Sequence, residues 1–123
     1  MAPVKALFDT NILIDYLNGV VAARDEIAHY DDPMISLITW MEVMVGTSAE
    51  HAIPVRAFLR RFECIGIGSD IAERVISIRQ ARRLKLPDAI IHATATEQSA
   101  LLVTRNTKDF PDGEPGIRVP YSL

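Results

Sequence analysis

Cysteine occurs once in the 123 residues, at Cys64, so the chain can build neither an internal disulfide nor a thiolate metal cage. That thiol sits in the apolar run Cys64-Ile65-Gly66-Ile67, where a buried, inert side chain is expected. Long hydrophobic stretches are also missing, because charge interrupts each of them within about a dozen residues, too few for a membrane-spanning helix. The opening segment Met1 to Asp9 meets an acid too early for a secretory signal, and the expectation is a cytoplasmic protein. Repeats, linkers and low-complexity tracts are absent. With 49% hydrophobic and 24% charged residues, the composition excludes disordered, collagen-like and coiled-coil classes.

What is present suits one compact domain, residues 1–123, large enough to form a core without disulfides or a structural metal. The net charge of −3 argues against indiscriminate nucleic-acid binding, but it is unevenly spread. Residues 1–50 hold 2 basic and 8 acidic side chains, and residues 51–123 hold 11 basic and 8 acidic ones. A local basic surface beside an acidic site is compatible with that distribution.

Hydrophobic spacing predicts a strand over Val4–Phe8, a helix from Asp9-Thr10-Asn11 to Asn18-Gly19, and a second helix over Val20–Tyr30. A short strand at Met34–Leu37 precedes a helix from Thr39 to Gly46, then a helix over Pro54–Phe62 and a strand over Glu63–Ile67. Asp70 and Glu73 mark the start of a helix that runs to about Leu84, and Pro87 restarts one through Ala100. Leu101–Val103 and Ile117–Val119 are the remaining strands. Strands alternating with helices imply an α/β layer fold with a mainly parallel sheet, whose ligands gather at the carboxyl ends of the strands.

Four acids stand where such a fold keeps its sites. Asp9 directly follows the first strand and Asp109 follows Leu101-Leu102-Val103, while Glu42 and Asp88 open helices. Each has a sufficient local explanation: Asp9 as a helix cap, Glu42 as the far end of a capping box begun by Thr39, and Asp109 as an ordinary loop residue. Asp88 in a first helical turn is favoured by the helix dipole by about 0.3–1 kcal/mol. Together they differ, because strand ends and helix starts share one edge of a parallel sheet. Two carboxylates about 5 Å apart repel by roughly 3 kcal/mol at an effective dielectric near 20, so such a cluster takes up protons or holds cations. Oxygen-only ligands select Mg²⁺ or Mn²⁺ and suit attack of water on a phosphodiester.

The phrases Leu7-Phe8-Asp9-Thr10-Asn11-Ile12-Leu13-Ile14-Asp15, Trp40-Met41-Glu42-Val43, Leu86-Pro87-Asp88-Ala89-Ile90-Ile91-His92-Ala93-Thr94-Ala95 and Val103-Thr104-Arg105-Asn106-Thr107-Lys108-Asp109-Phe110 resemble, in order, the four signature blocks of PIN-domain ribonucleases. The likeness is greatest to bacterial toxins of the VapC type, and the blocks span residues 7–110. The resemblance implies a PIN-like three-layer α/β fold and a Mg²⁺- or Mn²⁺-dependent endoribonuclease, with Asp9, Glu42, Asp88 and Asp109 at its acidic positions. Asp9 and Asp88 match the principal metal ligands, Glu42 and Asp109 complete the cluster, and Thr104 and Asn106 match polar residues that hold it together. Some members carry an acid where Asn106 stands here. The same resemblance implies an RNA substrate, a small antitoxin partner and a homodimer with no membrane attachment. Ile12, Leu13, Tyr16, Leu17 and Trp40 are candidates for the contact surface.

Arg74, Arg79, Arg82, Arg83 and Lys85 form a basic run that leads into Asp88. A solvated helix face explains it, but an RNA nuclease with an acidic cleft also needs cations for phosphates, so Arg79, Arg82, Arg83 and Lys85 are candidate RNA contacts. His92, four residues after Asp88, reads as a packing or supporting residue, and Ser36 as a plain strand-end serine. Among alternatives, a phospho-accepting receiver domain would use Asp9, Thr104 and Lys108 but needs a pair of acids after the first strand. A haloacid-type phosphatase wants an acid where Asn11 stands. A non-catalytic interaction module rests entirely on the capping and dipole explanations.

Overall fold

A computed structural model describes residues 4–123; the first three residues of the expected domain lie outside that range. Five strands form one parallel sheet: β1 (Ala6–Phe8), β2 (Met34–Ser36), β3 (Glu63–Ile65), β4 (Leu101–Val103) and β5 (Ile117–Arg118), in the spatial order β3-β2-β1-β4-β5. Six helices connect or flank them: α1 (Thr10–Leu17), α2 (Val21–Ala28), α3 (Leu37–Val45), α4 (Ala52–Leu59), α5 (Ser69–Ala81) and α6 (Leu86–Glu97).

The three layers follow from the two-residue period of the strands. Ala6 and Phe8 face one way, into a core with Ile12 and Leu13 of α1, Ala23 and Ile27 of α2, Val43 of α3 and Phe58 of α4. Leu7 points the other way, into a core with Ile71 and Val75 of α5 and Ala89, Ile91 and Ala93 of α6. Both faces of the central strands are thus covered, which is why they read as continuous apolar runs. The mainly parallel α/β fold expected from the sequence is the one observed.

Several boundaries differ from the sequence expectation. The helix expected from Thr39 begins at Leu37, because the Ser36 side chain caps it by accepting from the Ile38 amide at 3.2 Å. Ser36 is therefore a helix cap, and Thr39 lies inside the helix, where it cannot open a capping box with Glu42. The α5 helix stops at Ala81, three residues short, where Arg82 turns extended (φ −138°, ψ 152°). The helix expected from Pro54 begins at Ala52 and stops at Leu59, and β3 ends at Ile65 instead of Ile67. Gly19 ends the first helical turn region at φ +84°, a conformation that favours glycine.

Cys64 is exposed, not buried. Its strand, β3, is an edge of the sheet, paired only with β2, and local hydrophobicity does not reveal which strand lies at an edge. Ile12 and Leu13, expected at a contact surface, are wholly buried, whereas Ile14 and Leu17 of the same helix are exposed.

Candidate functional site

The strand order places a topological switch between β1 and β4: the chain leaves β1 toward β2 on one side, while β4 lies against β1 on the other. The crevice beyond the carboxyl ends of such a strand pair is where parallel α/β sheets bind ligands. Asp9 follows β1 and Thr104 follows β4 at this point. The Thr104 hydroxyl donates to Asp9 Oδ2 at 2.7 Å, and both residues are buried.

Asp9 is the α1 cap, as its local reading holds, and it is also the centre of a wider network. Its Oδ1 accepts from the Thr10 amide at 2.7 Å, and Oδ2 accepts from Asn11 Nδ2 at 3.2 Å in addition to Thr104. Burial pushes its carboxyl up to about 6, against the lowering effect of the Thr104 and Thr10 bonds and with help from the negative charges of Asp88 and Glu42.

Glu42 comes to the same place by another route. The Thr10 hydroxyl donates to Glu42 Oε1 at 2.7 Å, and the Thr10 oxygen lies 3.0 Å from the Thr39 hydroxyl, which can donate back to it. The capping-box reading of Glu42 is replaced by this long-range bond. Asp88 stands in the first turn of α6. Burial raises its carboxyl, and the charges of Asp109 and Glu42 raise it further against the pull of Lys85. Asp109 accepts from Asn106 Nδ2 at 3.0 Å, and Asn106 Oδ1 accepts from the Asp109 amide at 3.3 Å. The Thr104 oxygen also accepts from the Asn106 amide at 3.0 Å. Asp9 thus feels the charges of Asp88 and Glu42, Asp88 those of Asp109 and Glu42, and Thr104 and Asn106 bridge Asp9 to Asp109.

A sequence profile of the PIN domain matches residues 6–112. The chain belongs to the PIN domain family. Across 125 aligned residues it is 34% identical to Ribonuclease VapC10 of Mycobacterium tuberculosis, an alignment covering 95% of this chain and 93% of that protein. Among solved structures it is similar to a chain of a toxin–antitoxin complex from Klebsiella pneumoniae, with 50% identity, a TM-score of 0.90, and coverage of 97% of this chain and 100% of that one. It is also similar to a chain of the DNA-bound VapBC from Salmonella typhimurium, with 27% identity, a TM-score of 0.78, and coverage of 97% and 98%.

Within this PIN fold the basic run divides. Arg82 is committed to other protein groups: Nη1 donates to Glu114 Oε1 at 2.9 Å and Nη2 to the Asp109 carbonyl at 2.8 Å. Arg79 Nε donates to the Leu84 carbonyl at 3.2 Å, and Arg74 pairs with Glu97 at 2.8 Å. Arg74, Arg79, Arg83 and Lys85 are all exposed and Arg82 is half-buried, and Arg83 and Lys85 make no side-chain hydrogen bond or ion pair among the described residues. His92 stacks on Phe110 with ring centroids 5.8 Å apart, in keeping with its packing role, and burial holds its imidazole below the usual range.

Four supporting residues escaped the sequence reading. Asn11 accepts from the Arg105 amide through Oδ1 at 3.1 Å while its Nδ2 reaches Asp9, so one amide side chain ties α1 to the loop after β4. Asp15 is a buried acid on the apolar face of α1, held by Arg105 and by the Tyr121 hydroxyl at 2.7 Å. An acid at an apolar helical position is a signal that a buried cation partner lies elsewhere, but the partner itself is 90 residues away. A groove of about 730 Å³ adjoins Glu42 alone of the four acids and is lined by Ile14, Leu17, Val43, Val55 and Phe58.

Proposed function

We propose that this PIN-domain protein is a metal-dependent endoribonuclease that hydrolyses RNA phosphodiesters at Asp9, Glu42, Asp88 and Asp109, and that it is the toxin of a type II toxin–antitoxin pair. The observation that carries the reading is the hydrogen-bonded network at the β1/β4 switch point, in which Thr104 holds the buried Asp9, Thr10 holds Glu42 and Asn106 ties Asp109 to Thr104, with Asp88 near enough to feel the charges of Asp109 and Glu42. Residues 1–123 act as a single nuclease domain, working in the cytoplasm as a homodimer.

The donor set fits a hard divalent ion, Mg²⁺ or Mn²⁺, because every candidate ligand is a carboxylate oxygen. Among the described residues no three acid, imidazole or thiol groups gather tightly enough to enclose an ion by themselves. Mg²⁺ keeps several waters and takes one or two carboxylates directly, so Asp9 and Asp88 would hold it, with Glu42 and Asp109 completing the cluster. When bound, such an ion stabilises charge on the phosphoryl oxygens and lowers the pKa of water.

The chain's own contribution is orientation and charge. Thr104, Thr10 and Asn11 hold both oxygens of Asp9, so the carboxylate cannot swing as substrate arrives. Burial pushes the Asp9 carboxyl up to about 6, and a bound cation would favour its ionised form. Thr10 occupies Oε1 of Glu42 and leaves Oε2 for solvent or substrate. Arg83 and Lys85, exposed near the start of α6, are placed to draw RNA phosphates toward an otherwise repulsive cleft.

The antitoxin partner is proposed from the relatives, whose solved structures are a toxin–antitoxin complex and VapBC. The groove floored by Ile14, Leu17 and Phe58 offers an apolar seat for a partner segment that also reaches Glu42. The deciding experiment is RNA cleavage by purified protein with Mg²⁺, with Mn²⁺ and with EDTA. Cleavage that persists in EDTA, or an unchanged rate in Asp9→Asn protein, would overturn the proposal.

A further inference from the structure

We propose that Arg82 is a positioning residue that fixes the loop carrying Asp109 against the helix pair carrying Asp88, an assignment that rests on the metal-dependent reading above. Asp109 lies in an irregular loop between β4 and β5, and its side chain is held by Asn106 of that same loop. A bond within the loop orders it internally but cannot set its distance from α6. The Asp88 and Asp109 carboxylates repel each other, so the loop needs a restraint from the other side.

Arg82 supplies one at three neighbouring points. Its Nη2 donates to the Asp109 carbonyl, its Nη1 to the Glu114 carboxylate, and its guanidinium lies 5.8 Å from the centroid of the Phe110 ring. Phe110 is fully buried and stacks on His92, one turn beyond Asp88 on α6. A single planar side chain therefore links the end of α5, the Asp109 loop and, through Phe110, the helix that bears Asp88. The abrupt end of α5 contributes: Arg82 leaves helical geometry while its amide still donates to the Ile78 carbonyl at 2.8 Å, which anchors the base of the side chain. A guanidinium used in this way is not free to bind an RNA phosphate without giving up Glu114 or Asp109.

The test uses Mn²⁺ alone, without RNA, titrated calorimetrically into full-length protein, together with amide hydrogen exchange over residues 105–116. Arg82→Gln is expected to weaken Mn²⁺ binding by about tenfold, as loss of a supporting contact to a ligand does. It should also speed exchange in the loop and leave the salt dependence of RNA binding unchanged. Asp109→Asn should weaken Mn²⁺ in the same direction, and the double variant should bind no more weakly than Asp109→Asn by itself. Arg82→Lys, which keeps the charge but not the fork, should recover part of the loss. Glu114→Gln, which weakens one of the Arg82 contacts while keeping the arginine itself, should move both readouts the same way and stands in if Arg82→Gln does not fold. Folded Arg82→Gln protein with wild-type Mn²⁺ affinity and exchange would overturn the assignment, as would a salt slope for single-stranded RNA reduced by about 0.7, the mark of a phosphate contact. Failure of the wild type to bind Mn²⁺ would sink the metal reading, while unaltered loop exchange in Arg82→Gln would sink the restraint itself.

Discussion

Arg105 grips Asp15 with two parallel hydrogen bonds, Nε to Oδ2 at 2.7 Å and Nη2 to Oδ1 at 2.8 Å, across 90 residues of sequence. Because Arg105 stands between Thr104 and Asn106, the fork holds the loop after β4 from behind while those two residues face the acids. A similar fork joins Arg118 of β5 to the buried Glu26 of α2, with Nη2 donating to Oε1 at 2.9 Å. Both forks pin the sheet's β4–β5 side to the helices of the first half of the chain.

These forks predict acid sensitivity. Burial pushes Asp15 up, but the bonds from Arg105 and Tyr121 and the Arg105 charge outweigh it and hold the carboxyl below its usual range. The Arg118 bond does the same for Glu26 against the cost of burial. Carboxyls depressed on folding stabilise fully above their unfolded values of about 4, and that stabilisation is lost as pH falls through the folded values. The forks' contribution to the urea midpoint should therefore hold steady from neutrality down to about pH 5 and be lost below about pH 4, while the raised Asp9 and Asp88 carboxyls, which take up protons first in the folded state, add stability as pH falls from neutrality. Asp15→Asn should cost about 2 kcal/mol at pH 7, less than for a fully buried pair because Arg105 is a third exposed, and should flatten the acid limb. An acid limb of unchanged steepness in Asp15→Asn protein would show that the fork contributes nothing to it.

Asp9→Asn and Asp88→Asn remove one charge at constant shape and should each lower RNA cleavage by about a hundredfold or more at saturating Mg²⁺. Initial rates on a labelled single-stranded RNA, with folding verified by circular dichroism, check this. Asp109→Asn should instead raise the metal concentration needed for half-maximal activity, because a carboxylate at the edge of the cluster is partly replaced by water. A metal titration of Asp109→Asn that overlays the wild type would leave Asp9, Glu42 and Asp88 as the working set.

Thr10→Val should uncouple Glu42 from Asp9 with little change in side-chain volume. The Thr10 hydroxyl is the donor to Glu42, and its loss leaves that carboxylate without its anchor in α1. Cleavage is expected to fall by about tenfold, the usual effect of removing a contact that orients a ligand. The loss should be non-additive with Glu42→Gln. Independent effects, measured as a double-mutant cycle in rate, would remove Thr10 from the site.

Arg83→Gln and Lys85→Gln should each reduce the slope of log affinity against log salt for single-stranded RNA by about 0.7, and the other arginines of the run should not. Binding isotherms on catalytically inactive Asp9→Asn protein at several salt concentrations measure it. Equal slopes throughout would return Arg83 and Lys85 to a solvated surface.

Leu17→Glu puts a charge at the exposed apolar edge of the groove beside α1 and should abolish co-purification with the antitoxin while sparing RNA cleavage. Ile14→Glu should do the same. Retained co-purification in both variants would place the partner elsewhere.

Much of this protein could be read along the chain, because the relevant forces are local. The unbroken apolar run Ala6-Leu7-Phe8 and the short branched run at Leu101–Val103 specify strands covered on both faces, and the helices between them make a parallel sheet the expected outcome. Asp9 at a strand end and Asp88 at a helix start stand where a parallel sheet collects its edge residues, whereas Glu42 lies inside α3 and Asp109 in the loop after β4, away from the helix-start and strand-end positions that mark them as candidates in the sequence. Tertiary structure alone decided who holds whom. Thr10 on Glu42, Thr104 on Asp9, Arg105 on Asp15 and Arg82 on the Asp109 carbonyl join residues between 27 and 95 positions apart. No local pattern distinguishes such a partner from a solvated side chain. The same reason exposes Cys64, whose apolar neighbours forecast burial, and gives Arg82 its bonds to Glu114 and the Asp109 carbonyl, which no neighbour in sequence announces. Burial and pairing depend on which strand is an edge and which loop returns to which helix, and those are properties of the assembled sheet.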